Sequence, residues 1–455
     1  MSQLNPATQT SNITKGMDNI WLPYTPNRYF RDNPKLLQSA QGAYYTMSDG
    51  RRLFDCLSGL WCCPLGHAQP KIVEALTRQA KSLDYATAFQ FSNPSTLALA
   101  ERITAMAPSG MGRVFFTNSG SESVDTAMKI AYGFHRIRGH AMRTRFIGRE
   151  RGYHGVGFGG MSVGGIVGNR KMFGPIMLPG IDHLPHTYNL SEMAFSKGQP
   201  TWGAHLADEL ERLVALHDAS TIAAVIVEPM AGSTGVLVPP IGYLQKLRDI
   251  CTKHGILLIF DEVITGFGRV GDNFAAQRFG VTPDMITFAK GITNGVIPMG
   301  GVIVRDEIFD TFMSVDAPPY AVELMHGYTY SGHPMATAVA HAALDLLVGD
   351  GLIQCARELE PVLEDVVHAL KGESGVLDIR NFGLAAAIDL EPTAGKPGLR
   401  GMQAFERGLE EGLLLRVTGD TIAVGPPFIS TEDELHSMGE RLRKTIRYVM
   451  SKDAV

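Results

Sequence analysis

The chain has 455 residues, and its 41 Lys and Arg against 46 Asp and Glu give a formal net charge of −5. This length predicts two or three domains of about 150 residues each. The near balance of charges excludes the basic footprint of a nucleic-acid-binding protein, and a hydrophobic content of 45% excludes a disordered chain. The 50 glycines exceed the average share of about 7%, which indicates many tight turns or close backbone contacts.

Cysteine spacing and the longest apolar runs indicate the compartment. The five cysteines include no C-x-x-C pair and match neither a zinc site nor a disulfide framework. The N-terminal segment is polar and lacks the apolar stretch of a signal peptide. Runs such as 222–227 are far shorter than the roughly 20 residues of a membrane span. We therefore expect a soluble cytoplasmic protein without a metal ion or a membrane contact.

Strand and helix patterns alternate through the middle of the chain. Apolar spacing predicts, in chain order, a helix at 70–81, a strand at 114–116, a helix at 122–137, a strand at 221–227, a helix at 242–254, a strand at 256–260, a short helix at 273–279, and strands at 285–289 and 300–304. This order predicts an α/β fold with a largely parallel sheet and helices on both faces.

The pattern changes after about residue 333. The C-terminal part predicts two helical stretches, short strands at 376–380, 384–390 and 422–424, and a closing helix at 431–450. We therefore predict an N-terminal segment, 1–75, that contributes to a small domain, a large ligand-binding domain, 76–335, and a small C-terminal α+β domain, 336–455.

A glycine-rich segment contains a motif that points to a nucleotide. Residues 155–160 match G-x-G-x-x-G, the fingerprint of a dinucleotide site, which needs a strand before it and a helix opening at it. Here Tyr153 and His154 precede it, and further glycines follow where the helix should begin. We interpret the segment as a flexible or substrate-covering loop. A nucleotide-dependent dehydrogenase remains the weaker alternative.

The turn at 118–122 (Asn-Ser-Gly-Ser-Glu) is a better phosphate-binding candidate. It lies between a predicted strand and a predicted helix, and a helix N-terminus offers free N–H groups and a partial positive charge to an anion. Gly120 would let the backbone approach a phosphate, and Ser119 and Ser121 would add hydroxyl donors. Ser119 and Glu122 also have the spacing of a capping box, so an ordinary helix cap explains the same residues.

Two further predicted strands each end in a charged residue. Asp261 follows the apolar run 256–260, and Lys290 follows the next predicted strand. Ligands of open α/β sheets bind at the carboxyl ends of the strands. Pyridoxal 5′-phosphate (PLP) needs a lysine for its Schiff base, an acidic partner for its ring nitrogen and an anion site for its phosphate. Singly, each residue is explained as a solvated strand end or a turn residue, but jointly they fit this one cofactor.

With these motifs the chain resembles the class III, fold-type I PLP-dependent aminotransferases. The motifs that carry the resemblance occur at 118–122, 152–155 (Gly-Tyr-His-Gly), 228–229 (Glu-Pro), 261–263 (Asp-Glu-Val), 266–269 (Gly-Phe-Gly-Arg) and 290–291 (Lys-Gly). The nearest subgroup is the ω-amino acid (β-alanine):pyruvate transaminases, which are similar at 21–24, 60–61 and 327–334. Gly332 departs from the alanine of many relatives. The resemblance implies a mainly parallel, seven-stranded-type sheet in the large domain.

The resemblance implies a role for each candidate residue around the cofactor. Lys290 and Asp261 are the catalytic pair: Lys290 would hold PLP and carry the substrate proton, and Asp261 would keep the ring nitrogen protonated. Tyr153 and Val263 would pack on the two ring faces. The full set expected to bind the cofactor is Ser119, Gly120, Ser121, Tyr153, His154, Glu228, Asp261, Val263, Lys290 and Thr329. Thr329 would reach the cofactor of a neighbouring subunit, which implies a homodimer or a tetramer built from dimers.

The resemblance also implies the substrate site and the reaction. Arg416 would bind a substrate carboxylate, and Trp61, Tyr24 and Phe89 would wall the pocket. We expect transfer of an amino group from an ω-amino acid or another primary amine to pyruvate. The alternatives within the fold are a decarboxylase like dialkylglycine decarboxylase and an aminomutase, because fold does not fix reaction. A non-enzymatic binding protein would leave the paired lysine and aspartate unexplained.

Overall fold

Fifteen strands appear in the computed structural model of the chain, which describes residues 16–452. In chain order they are β1 Leu37–Gln41, β2 Tyr44–Met47, β3 Arg52–Asp55, β4 Arg113–Thr117, β5 Arg145–Arg149, β6 Ile181–Leu184, β7 Ile222–Val227, β8 Leu257–Asp261, β9 Met285–Phe288, β10 Gly300–Val304, β11 Val376–Asn381, β12 Ala386–Leu390, β13 Leu413–Leu414, β14 Arg416–Thr418 and β15 Thr421–Val424.

Besides the helical residues 16–19, the described part of the chain contains sixteen α-helices. They are α1 Asn27–Asp32, α2 Ser58–Trp61, α3 Pro70–Ser82, α4 Pro94–Met106, α5 Gly120–Ile137, α6 Phe158–Val163, α7 Val167–Phe173, α8 Leu190–Met193, α9 Glu209–His217, α10 Tyr243–His254, α11 Ala275–Phe279, α12 Asp306–Met313, α13 Pro334–Leu344, α14 Leu352–His368, α15 Leu399–Glu410 and α16 Glu432–Ser451. Within residues 16–452, no single helix has the length and apolarity to cross a membrane, although the bent pair Pro334–Gly349 and Leu352–His368 meets both criteria together.

The central sheet has seven strands in the order β4-β10-β9-β8-β7-β5-β6. Strand β10 is antiparallel to both of its neighbours, and the other neighbouring pairs are parallel. Strands β7 to β10 are buried along their whole length, which explains why their sequences are continuous apolar runs rather than alternating patterns. The predicted α/β fold with a mainly parallel seven-stranded sheet is confirmed.

Two smaller sheets involve the N-terminal and C-terminal parts of the chain. Strands β1, β2 and β3 form a meander that β13 extends by parallel pairing with β3, at Leu413 with Phe54 and Leu414 with Asp55. Strands β11, β12, β15 and β14 form a separate antiparallel sheet. The N-terminal segment is therefore joined by hydrogen bonds to the chain more than 350 residues later.

The interpretation of the glycine-rich segment as a flexible or substrate-covering loop is wrong for residues 158–163, which form helix α6, in which Gly159 and Gly160 are buried. Residues 152–157 before it form neither helix nor strand. A Cβ at Gly160 would lie 2.1 Å from the His154 carbonyl oxygen, and one at Gly148 would lie 1.9 Å from the Val163 carbonyl oxygen. These glycines are required because backbone packs directly against backbone between α6 and the segments around β5.

Helix α5 begins at the carboxyl edge of the sheet and covers one of its faces. Its apolar side chains, including Ala127, Ala131 and Phe134, share one buried cluster with residues of β7, β8 and β10. Near its C-terminus, the His135 imidazole is 3% exposed, and its Nε2 atom donates to the Ala223 carbonyl oxygen at 2.9 Å. Burial lowers the pKa of His135 to about 4.

We expect His135 to make the fold sensitive to acid. The native state keeps this imidazole neutral down to about pH 4, whereas the unfolded chain protonates it near pH 6.5. Because the unfolded state binds the proton first, the unfolding free energy decreases as pH falls from about 6.5 toward 4. The unfolding free energy of wild type and of His135→Gln should be measured in urea over this range. It should decrease less with falling pH in the variant, with a difference of up to about 2 kcal/mol once solvent screening is allowed for. His140→Gln, at an exposed position, is the control. Equal pH dependences in wild type and His135→Gln would contradict the assignment.

Candidate active site

Asp261 is the last residue of β8, at the carboxyl edge of the parallel part of the sheet. Its side chain is 5% exposed and is held by three hydrogen bonds. Its Oδ1 atom accepts from Thr287 Oγ1 at 3.1 Å and from the Val263 amide at 3.2 Å, and its Oδ2 atom lies 2.8 Å from His154 Nδ1. These contacts fix the carboxylate in one orientation.

Lys290 lies at the same edge, two residues beyond the end of β9. It opens a short 3-10 helix, Lys290–Thr293, with a φ of 52°. Left-handed backbone is costly for a residue other than glycine and concentrates at functional sites. Burial lowers the pKa of the Lys290 amine, and the negative charges of Cys62, Asp261 and Glu228 oppose that shift. A larger fraction of the amine is therefore neutral than in an exposed lysine.

Glu228 follows β7, the strand next to β8, and is 4% exposed. Its Oε1 atom accepts from the Tyr153 amide at 2.9 Å, and its Oε2 atom accepts from the Gly232 amide at 3.2 Å. Burial raises the pKa of this carboxyl. Glu228 thus ties the segment that carries Tyr153 and His154 to the end of β7.

The N-terminus of α5 is the third component of the site. Ser119 is the N-cap, and its Oγ atom accepts from the Glu122 amide at 3.2 Å. The Glu122 carboxylate accepts from the Asn118 amide at 2.7 Å, one residue before the position of a standard capping box. A Cβ at Gly120 would lie 2.9 Å from Val263 Cγ1. Glycine is therefore required for the helix to begin this close to the loop after β8.

These elements enclose a cavity of about 130 Å³. Its lining comes from five separate parts of the chain and includes most of the predicted cofactor-binding residues. The lining residues are Gly120, Ser121, Tyr153, His154, Gly155, Glu228, Asp261, Val263, Ile264 and Lys290. An amine, carboxylates and a helix N-terminus thus converge on one space. Sequence reasoning missed Gly155 and Ile264, although each directly follows a predicted residue.

Ser119, Trp61 and Thr329 are not among the residues that line this cavity. Ser119 acts as the helix cap described above. Trp61 is 6% exposed and packs in an apolar cluster with Ile264, with the Arg269 guanidinium 5.5 Å from its ring centre. Thr329 is exposed, and its carbonyl oxygen accepts from the Tyr85 hydroxyl at 3.1 Å.

The three remaining candidate substrate residues, Tyr24, Phe89 and Arg416, do not line this cavity. Arg416 is the exposed first residue of β14, and both its charge and the Tyr24 phenol affect the pKa of Tyr153, which burial raises most. These two side chains are thus near the entrance beside Tyr153. Phe89 is 57% exposed and lines a separate surface pocket with Gly327.

Comparisons with known proteins agree on one family. The family model described as aminotransferase class-III matches residues 29–446. An omega-aminotransferase of Caulobacter vibrioides is 55% identical over 434 residues, which cover 95% of this chain and 98% of that protein. A beta-alanine–pyruvate aminotransferase of Pseudomonas aeruginosa is 51% identical and covers 91% of this chain and 92% of its own length.

Solved structures give the same result. The omega transaminase of Pseudomonas jessenii in complex with PMP has a TM-score of 0.90 at 32% identity and covers 96% of this chain and 98% of its own. A thermostable (S)-enantioselective omega-transaminase of Thermomicrobium roseum has a TM-score of 0.89 at 32% identity, with 99% of this chain and all of that chain covered.

Proposed function

Because the chain belongs to the class III aminotransferase family, we propose that it transfers the amino group of an ω-amino acid or primary amine to pyruvate. β-Alanine and arylalkylamines represent the donor class, and the products are an aldehyde or ketone and L-alanine. The observation that carries this proposal is the convergence of Lys290 and Asp261 on one cavity beside the N-terminus of α5. The two relatives described above are named an omega-aminotransferase and a beta-alanine–pyruvate aminotransferase, which supports this donor class.

PLP is the cofactor of this aminotransferase, and the described residues fit it. Lys290 supplies an amine inside the cavity, Asp261 supplies an anchored carboxylate, and Gly120 and Ser121 supply a helix N-terminus for the phosphate. The Nε2 atom of His154 is buried without a hydrogen-bond partner within residues 16–452, which leaves a polar position for a bound group. Bound PLP supplies an electron sink for the carbon that loses its proton.

The protein residues perform the proton handling and the positioning. We assign the proton transfer at the substrate carbon to the Nζ atom of Lys290, because burial favours the neutral amine that can act as a base. Asp261, which Thr287 and His154 hold in place, would supply the negative charge that keeps the cofactor's ring nitrogen protonated. Tyr153, which is half-buried and fixed through its amide to Glu228, covers one side of the cavity.

Alanine formation tests the proposed reaction. Purified holoenzyme with β-alanine and pyruvate should form L-alanine and 3-oxopropanoate in equal amounts, with CO₂ released no faster than free 3-oxopropanoate, a β-oxo acid, loses it spontaneously. Release of CO₂ in step with turnover would support the decarboxylase alternative, and isomerisation of one substrate without a second would support an aminomutase. Either result would overturn the proposal while leaving the PLP assignment intact.

Arg416 is proposed to bind the carboxylate of β-alanine and of pyruvate. Replacing it with alanine should lower kcat/KM for both about 10- to 100-fold, because a hydrogen bond to a charged group contributes about 1.5–3 kcal/mol. The half-reaction with 1-phenylethylamine, which has no carboxylate, should change by less than about threefold. Arg78→Ala, at an exposed position of α3, is the matched control. Equal losses for all three compounds would contradict this role.

A homodimer is proposed from the surface around Thr329. The side chains of Phe91, Met325 and Tyr330 are 68%, 87% and 57% exposed. The Tyr85 ring centre lies 6.0 Å from that of Tyr330, so the chain segment before Phe91 contacts the segment that follows Met325. Exposed large apolar side chains that lie close together are typical of a protein–protein contact. A second copy of this chain covering this surface would bring Thr329 to the partner's phosphate site, and the partner's Phe89 to the substrate pocket.

The domain and compartment assignments remain proposals of the same kind. The parallel pairing of β3 with β13 supports a small domain made of segment 1–75 and segment 336–455, beside a large domain at 76–335. Five unpaired cysteines support a reducing compartment, and we propose the cytoplasm.

A further inference from the structure

Cys62 and Cys63 are adjacent residues whose thiols face each other. Both backbone amides donate to the Ser58 carbonyl oxygen at 2.9 Å, which turns the two residues toward the same side. Their Sγ atoms lie 3.6 Å apart. The proposed reaction uses neither thiol.

The thiol pair lies between two glycines. A Cβ at Gly295 would be 3.0 Å from Cys63 Sγ and 3.1 Å from Cys62 Sγ, and a Cβ at Gly59 would be 3.3 Å and 3.2 Å from the same atoms. The amide of Gly295 in turn donates to the Lys290 carbonyl oxygen at 3.4 Å. The pair is therefore packed against the turn that carries Lys290.

Cys62 and Cys63 differ from the two buried cysteines, Cys56 and Cys251, in exposure and in the direction of the thiol pKa of Cys62. A hydrogen bond with Cys63, helped by the positive charge of Lys290, lowers the pKa of Cys62 to about 6, and the same contact raises the pKa of Cys63. Burial raises the pKa of Cys251 to about 12, and Cys56 is fully buried. Cys62 and Cys63 are both partly exposed. The pair thus offers one thiolate and one neighbouring thiol to a small reagent.

We propose that Cys62 and Cys63 together form a binding site for trivalent arsenicals, which bond to two sulfur atoms at once. Two bonds of about 2.3 Å, the length of a typical metal–thiolate bond, span 3.6 Å at an angle near 100°. A disulfide would require the sulfur atoms to approach to about 2.05 Å. The observed spacing therefore suits a bridging atom without movement of the backbone.

The capture step balances without an oxidant. An arsenic(III) oxide, R–As=O, loses its bonds to oxygen and gains one As–S bond to each of Cys62 and Cys63. The oxygen leaves as one molecule of water with the Cys63 thiol proton and a second proton, which comes from the Cys62 thiol or, where Cys62 is a thiolate, from solvent. The oxidation states of arsenic and sulfur do not change. Because the bridge lies beside Lys290, amino-group transfer should fall as the adduct forms. Only this last consequence rests on the proposed function.

Phenylarsine oxide added in equimolar amount to reduced holoenzyme tests the proposal. Intact mass should show one adduct per chain, and peptide mapping should place it on the peptide that carries both Cys62 and Cys63. The small dithiol 2,3-dimercaptopropanol should remove the adduct, whereas 2-mercaptoethanol at the same thiol concentration should not. One dithiol molecule replaces both As–S bonds at once, whereas two monothiol molecules must displace a chelate and lose its entropic advantage.

Single variants distinguish a two-thiol site from a single reactive cysteine. Cys62→Ser and Cys63→Ser should each lower adduct retention at least tenfold, and Cys355→Ser, at the other partly exposed cysteine, should retain the adduct fully. No adduct on wild type, mapping to Cys355, or full retention in Cys63→Ser would overturn the proposal. Mapping on the wild-type chain decides the question even where a variant folds poorly. Capture on an enzyme that forms no alanine would refute the proposed function alone.

Discussion

Replacement of Lys290 with alanine is expected to lower the rate of amino-group transfer by about 10³-fold or more. The variant loses both the amine that attaches the cofactor and the base that moves the substrate proton, and general acid–base catalysis alone contributes about 10²- to 10⁴-fold. PLP should still bind without a covalent bond, because Gly120, Ser121 and Asp261 remain in the cavity. Stopped-flow half-reactions with β-alanine and the cofactor absorbance measure both effects.

A matched control and a rescue separate the chemical role of Lys290 from its role in folding. Lys246→Ala removes an exposed lysine on α10 whose Nζ atom pairs with Asp208 at 2.7 Å, and it should retain wild-type rates. Added methylamine should restore part of the lost rate in Lys290→Ala, because a free amine can carry the proton. Turnover of Lys290→Ala within tenfold of wild type would refute the catalytic assignment.

Replacement of Asp261 with asparagine is expected to have the second-largest effect, about 10²- to 10³-fold on kcat. Asparagine keeps the size of the side chain and an acceptor for Thr287, but it removes the negative charge from a position that is 5% exposed. Loss of one partner of a buried charge pair costs about 3–5 kcal/mol. Single-turnover kinetics on variant loaded with PLP measure the loss separately from cofactor binding.

Two further variants make the Asp261 result specific. Asp261→Glu restores the charge and should recover more activity than Asp261→Asn, despite its longer side chain. Asp249→Asn changes an exposed carboxylate on α10 and should be silent. Rates for Asp261→Asn equal to those of wild type would mean that this carboxylate does not support the ring nitrogen.

The sequence predicted the sheet well where its strands are buried on both sides. Strands β7 to β10 are continuous apolar runs, and their predicted bounds agree with the structure within about two residues. Strands β5 and β6 were not predicted, because their sequences, Arg-Phe-Ile-Gly-Arg and Ile-Asp-His-Leu, interrupt the apolar pattern with charged and small residues. Their place in the sheet depends on packing against α6 and on the pairing of β5 with β7, which a local pattern does not contain.

The candidate site was predictable where chain order alone brings residues together. Asp261 and Lys290 follow parallel neighbouring strands, so their convergence follows from topology. Arg416 and Tyr24 come from distant segments, and only the family resemblance identified them as candidate site residues. Helix α6 was misinterpreted because glycine usually signals a loop, whereas here it permits backbone-to-backbone packing at Gly160.

Reduction of the holoenzyme with borohydride tests the central claim, that Lys290 holds the cofactor at the edge of the sheet. Borohydride fixes a cofactor bonded to a lysine amine, and peptide mapping then identifies the lysine. The predicted result is a single modified peptide that carries Lys290, with loss of the yellow colour of the enzyme. Modification of a different lysine, or reduction that labels no peptide containing Lys290, would contradict the account.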